Sequence, residues 1–183
     1  MVEPPCLISR PLRFAKNARA MPRAWLVTQA RAVDAEEGLR AIRGESAGPF
    51  DPRETALLEV RSDELPQLPG GKIDASSETR LTGYEPTHLT IETNAPTDTV
   101  LVVSEIFYPG WKATIDGRPA RILLADYLLR GVAVPAGRHK VEMSYSLPSG
   151  YLGAVISIST LASLIFLGIY EKRRHSRLIE SVN

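Results

Sequence analysis

Four residues, Tyr108-Pro109-Gly110-Trp111, offer the most distinctive chemistry in the chain. An aromatic pair across a Pro-Gly turn can stack its π faces on the C–H face of a sugar. The competing assignment is structural: Trp111 anchors a strand start in the core and the turn only reverses the chain, since tryptophan is highly buried on average. Glu105 and Asp126 flank this block, with Asp116 the only other acidic residue nearby. A carboxylate hydrolase needs two such groups a few ångströms apart in a cleft. No motif sets that spacing here, so both are expected to be solvated charges at strand edges. His139 follows Gly137-Arg138 at a turn and has no visible partner to orient it as a general base. His88, His139 and His175 are scattered, and Cys6 is the only cysteine. Neither a metal-ligand spacing nor an intrachain disulfide is available from them. No cofactor motif occurs.

The elements that must hold these residues fall into unlike parts. Residues 1–23 are irregular and basic, with four prolines. Residues 24–60 read as a small α/β lobe: a strand over 24–33, a helix of about ten residues, and a strand over 55–60. Asp34 with Glu37 three residues on resembles a capping box, and Gly44 marks the helix end. Residues 61–77, rich in Pro and Gly, read as a linker or loop. Residues 78–147 read as all β, with strands at 78–84, 87–93, 98–107, 111–116, 118–124, 128–134 and 138–146, spaced as in a sandwich or jelly roll. Asp116-Gly117 is a two-residue hairpin signal needing φ > 0 at both positions. Val141, Met143 and Tyr145 alternate onto one face.

Residues 151–170 are twenty residues without a charge, ten of them Leu, Ile, Phe or Val. At about 1.5 Å per residue they span roughly 30 Å, the thickness of a bilayer core. The run lacks a polar face, which argues against a helix of a soluble core. Tyr151 and Tyr170 bracket it as interfacial anchors. Gly153, Ser157 and Thr160 share one helical face where a second membrane helix can approach. The alternative for Ser157 and Thr160 is that they satisfy themselves on their own helix. Lys172, Arg173, Arg174 and Arg177 follow at once and serve as topology determinants and contacts to anionic lipid. The positive-inside rule puts residues 171–183 in the cytoplasm and residues 1–150 outside. The first twenty residues lack the apolar stretch of a signal peptide. The simplest expectation is therefore the last piece of a longer polytopic protein. A tail-anchored protein with a cytosolic domain is the rival.

The chain of 183 residues has a net charge of +1. Residues 1–150 hold 18 basic and 19 acidic side chains, so the basic footprint of a nucleic-acid binder is missing.

Several blocks occur in a recognisable order: Tyr108-Pro109-Gly110-Trp111, Ala113, Asp116-Gly117, Arg130-Gly131-Val132, Val134-Pro135-Ala136-Gly137, His139-Lys140-Val141, Tyr145, and a span beginning near Gly150. Upstream stands Ala20-Met21-Pro22-Arg23-Ala24, followed by Leu26-Val27. In this the chain resembles the C-terminal region of the YfhO family of bacterial polytopic membrane proteins. The resemblance implies a membrane glycosyltransferase that acts outside the cytoplasm on lipid-linked sugars and decorates cell-envelope polymers. Its catalytic carboxylates are expected on loops between N-terminal helices, so no catalytic residue is assigned here. The expected fold is mainly β, sandwich- or jelly-roll-like, with a small α/β lobe and one C-terminal transmembrane helix in the bacterial cell membrane. The implied partners are the bilayer, neighbouring transmembrane helices and a cell-envelope glycan. The alternatives are a stand-alone single-pass binding or interaction protein and, with no motif behind it, a soluble hydrolase.

Overall fold

A computed structural model describes residue 17 and residues 20–46, 48–146 and 148–180, with side chains of the C-terminal helix over 153–170. The β-rich part holds two sheets. The first contains β1 (Ala24–Val27), β2 (Gln29–Ala32), β3 (Thr55–Leu58), β6 (Thr99–Ile106), β9 (Leu123–Ala125) and β10 (Leu129–Val134), in the order β1-β6-β10-β9-β3-β2. The second is β4 (Glu78–Glu85), β5 (His88–Ala95), β7 (Trp111–Ile115), β8 (Arg118–Ala120) and β11 (Gly137–Tyr145), in the order β4-β5-β11-β7-β8. All pairings are antiparallel except β2 with β3, which are joined by α1 (Ala35–Ile42).

The stretch 24–33, expected as one strand, breaks at Thr28. Its halves, β1 and β2, are first and last in the six-stranded order. In a flat sheet those strands would lie about 24 Å apart, at ~4.8 Å per step. A single intervening residue reaches only about 7 Å. The sheet therefore curls until its two edges approach. Trp25, Val27, Ala56, Leu58, Val100, Val102, Leu123 and Ala125 fill the inside of that curl. The other face, with Leu26, Leu101, Val103, Val132 and Val134, packs on Leu89, Ile91, Ala113, Val141 and Met143 of the second sheet. Along residues 99–103 of β6 the first sheet is thus covered on both sides.

The expected strand 118–124 also divides. Residues 118–120 pair with β7 in one sheet and residues 123–125 with β10 in the other, so Arg121-Ile122 carries the chain between layers.

Local chemistry explains several ends. Asp34 caps α1 by accepting from the Glu37 amide at 2.8 Å. The helix closes with amides of Gly44 and Glu45 on the carbonyls of Ala41 and Arg40, and Gly44 takes φ +73. The βαβ unit around α1 is built into the larger sheet, where Leu58 pairs with Ala125. The 61–77 segment is tied down: the Gly70 amide donates to the Thr28 carbonyl, and Leu65, Leu68 and Ile73 pack on the cores. Asp116 and Gly117 both have positive φ, as the hairpin requires.

The last element, α2, runs from Pro148 to Glu180, 33 residues. Its segment Gly153–Tyr170 has a mean hydropathy of 1.9 and is wholly exposed, long and apolar enough to cross a membrane.

Candidate functional site

The strand directions bring one group of loops to one end of the β domain. β6 ends at Ile106, β7 starts at Trp111, β11 ends at Tyr145, and β10 starts at Leu129 beside Ile106. The turn between β4 and β5 belongs to the same end, because the Tyr145 amide donates to the Thr87 carbonyl. This end continues into α2.

Its centre is an aromatic and cationic stack. The Trp111 and Tyr145 ring centroids are 5.5 Å apart and tilted by 45°. Tyr108 lies 6.2 Å from Tyr145. The Arg130 guanidinium sits 3.7 Å over the Trp111 ring. Arg130 is 4% exposed, donates from Nε to the Ile106 carbonyl, and holds Nη1 buried without a hydrogen-bond partner among the described residues. Burial pulls the guanidinium below its ordinary pKa, against the attraction of Glu105.

The two aromatic residues expected to meet a glycan thus differ. Trp111 is half-buried against the sheet core, with one ring face on Arg130. Tyr108 is 58% exposed. Gly110, between them, has φ +107, and a Cβ there would lie 2.8 Å from the Tyr145 ring. Only glycine lets the turn close on that ring.

The acidic residues correct one expectation. Glu105 is held in a surface triad: it accepts from Tyr84 Oη at 2.8 Å and from Arg23 Nη1 at 3.2 Å, and Arg23 lies over the Tyr84 ring. Asp126 is not a solvated edge charge. It is buried, its Oδ1 accepts from the Leu57 amide at 2.9 Å, and its own amide donates to the Leu57 carbonyl. Its Oδ2 has no hydrogen-bond partner among the described residues. Burial pushes its pKa up to about 6, against the opposing pull of the Leu57 amide. Asp126 and Tyr127 both have positive φ, so the turn that presents Leu128 is strained.

His139 has a partner that the sequence did not reveal. Its Nδ1 lies 2.7 Å from Asp116 Oδ2, and Asp116 Oδ1 accepts from the Lys140 amide. The pairing of β7 with β11 creates this contact. The hydrogen bond from His139 Nδ1 to the Asp116 carboxylate raises the His139 pKa above its ordinary value. The Lys140 amide, then His139, hold Asp116 below its own. Nearby, a groove of about 460 Å³ on the solvent face of the second sheet mixes Glu78 and Glu92 with Arg80, Arg138 and Lys140. Among the described residues no three His, Cys, Asp or Glu side chains form a group able to hold a metal ion.

In the helix, Thr160 donates to the Ile156 carbonyl, and so does Ser159. Ser163 donates to Ser159. Among the described residues no side chain meets Gly153, and the span, Ser157 included, is exposed. Tyr170 is exposed and stacks on Phe166. Tyr151, Lys172, Arg173, Arg174 and Arg177 are on helical backbone, and their side chains lie outside the described residues.

Comparison with known proteins adds one match. No curated protein and no solved structure matches the chain. Residues 72–157 match the family model described as bacterial membrane protein YfhO, covering β4 through β11 and the start of the apolar helix. The aromatic end, the sheet that carries it and the segment entering the span are therefore similar to the YfhO family of bacterial membrane proteins, and the match is consistent with a YfhO-family region.

Proposed function

We propose that this chain supplies an extracytoplasmic β domain and its membrane anchor, accessory to the transfer of sugars from a lipid-linked donor to a cell-envelope polymer, and not catalytic alone. The observation that carries this reading is the direct passage of the aromatic end into the span. A ligand held at Tyr108 and Trp111 would be at the bilayer surface, where the sugar of a lipid-linked donor lies. Aromatic faces suit such a ring, and Tyr108 is the one with a free surface. The basic residues after the span support a cytoplasmic C-terminus in the cell membrane, with residues 1–150 outside.

Two experiments test this. Protease added to sealed, cytoplasm-out vesicles should cut the tail and spare residues 1–150; the reverse pattern overturns the orientation. Titrating a polyprenyl-phosphate-linked sugar onto the full chain in nanodiscs should change Trp111 emission in a Trp25→Phe background, and Tyr108→Ala should abolish the change. No change at saturating donor removes the glycan role and leaves a single-pass interaction protein.

A further inference from the structure

Apolar exposure on the β domain is confined in a way the core does not require. Its exposed large hydrophobic side chains, among the described residues, are Ile42, Tyr84, Ile106, Tyr108 and Leu128. Ile42 lies on α1. The other four, each at least half exposed, belong to the end that enters α2: Tyr84 at 54%, Ile106 at 64%, Tyr108 at 58% and Leu128 at 50%. Solvent alone gives no reason for four such residues to share one end.

Chain length limits how far that end can be from lipid. The Ser146 amide is bonded to the Gly110 carbonyl, so Ser146 is fixed beside the aromatic stack. Gly153, where the apolar segment begins, is seven residues later. Helix from Pro148 onward covers most of that interval at about 1.5 Å per residue. The stack therefore lies within roughly 15 Å of the hydrocarbon edge, and the polar interface itself is about 5–8 Å deep.

The local structure also fits a rigid contact. Leu128 is projected by the strained Asp126-Tyr127 turn, and its carbonyl accepts from the Phe107 amide, which ties the Leu128 turn to the Ile106–Tyr108 loop. Arg130 is buried against the Trp111 ring, and Arg23 is paired with Glu105. Tyrosine rings prefer the interface, and Ile and Leu prefer the acyl boundary just below it.

We infer that Ile106, Tyr108, Leu128 and Tyr84 form a second membrane contact, a rim that dips into the lipid interface and holds the β domain against the bilayer. The occupant is lipid, and because the four rim residues carry no charge themselves, zwitterionic phosphatidylcholine suffices. This rests on Gly153–Tyr170 crossing the membrane.

The test uses the full chain with Cys6→Ser, one copy per phosphatidylcholine nanodisc, and an environment-sensitive fluorophore on Leu128→Cys, Ile42→Cys or Ser163→Cys in turn. Lipids carrying a nitroxide near the headgroup end of the acyl chain should quench the Leu128→Cys label roughly twofold, as expected for a side chain at the acyl boundary. Aqueous iodide should quench the Ile42→Cys label and spare Leu128→Cys. Adding Ile106→Asp should restore iodide access at Leu128→Cys. The inference is overturned if Leu128→Cys is as open to iodide as Ile42→Cys. It is also overturned if the label is shielded from iodide yet unaffected by nitroxide lipid, which would mean protein covers the rim. If a deeply placed nitroxide fails to quench Ser163→Cys, the spanning helix itself is wrong. That outcome is read independently of the rim.

Discussion

The two sheets solve the same problem differently. β6 in the first sheet reads Thr-Val-Leu-Val-Val and is buried at all five positions. β5 in the second reads His-Leu-Thr-Ile-Glu and buries only alternate side chains. Over those residues β6 has no solvent face, because the curl covers one side and the second sheet covers the other. Strands buried on both faces carry continuous apolar runs, a pattern more usual in parallel sheets; here curling brings it to an antiparallel strand of a mixed sheet.

The sharpest way to break this comparison is to add a polar group to each face. Leu101→Asn and Val102→Asn, neighbours on opposite faces of β6, should each destabilise by about 3 kcal/mol or more, as buried unpaired amides do. In β5, Ile91→Asn should do the same while Glu92→Asn stays within ~0.5 kcal/mol. Urea unfolding of the full chain in nanodiscs measures all four. A tolerated Val102→Asn would mean that the curl does not close over that face.

Titratable groups extend the contrast. Asp126, in the first sheet's turn, has its folded pKa raised to about 6 from 3.8. Between those values the folded chain keeps a proton that the unfolded chain has lost, so stability falls as pH rises through the window. A shift of about two units corresponds to a fall of roughly 3 kcal/mol, complete above about pH 7. Asp126→Asn keeps the acceptor for the Leu57 amide and tolerates positive φ. It should flatten this part of the pH–stability curve; an unchanged slope would locate the proton elsewhere.

Packing gives a smaller effect. A Cβ on Gly131 in β10 would meet Ala125 Cβ at 3.2 Å and Leu58 Cδ2 at 3.4 Å, both inside the curl. Gly131→Ala should cost about 1–3 kcal/mol by overpacking. Adding Leu58→Ala should recover part of that cost in a double-mutant cycle. Simple additivity would argue against the contact.

The smallest effect belongs to the exposed pair. His139 has a raised pKa, so its contribution is present below its unfolded value of about 6.5 and fades as pH rises through the folded one. His139→Gln should lower the unfolding temperature at pH below the ordinary imidazole value and approach the parent as pH rises past the raised folded one. Equal loss on both sides of this window would assign His139 a packing role only.

The same contrast explains what the sequence could disclose. β5 and β11 were legible because one wet face leaves a period of two. The Asp34 cap, the Gly44 stop and the Asp116-Gly117 hairpin were legible because each is settled within a few residues. The break at Thr28 was not, because Ala24–Val33 is locally a fair strand and only the curl of the whole sheet divides it. The change of sheet at Arg121-Ile122 was hidden for the same reason. At the candidate site, the Pro-Gly turn and its aromatic residues were visible in advance. Arg130 over Trp111, Asp116 beside His139 and the burial of Asp126 were not, since each depends on residues brought together by strand register. The four-residue rim lay in three separate segments, and only the shared end of the sandwich unites them.

The attachment of α2 has a mechanical consequence. The helix continues from β11, the central strand of its sheet, paired along its length with β5 and over five residues with β7. A load transmitted from the membrane acts along that strand and strains both ladders in shear. Its hydrogen bonds must yield together, whereas an edge strand peeled from its tip would release them one at a time. The domain is tethered through the strand best able to bear tension.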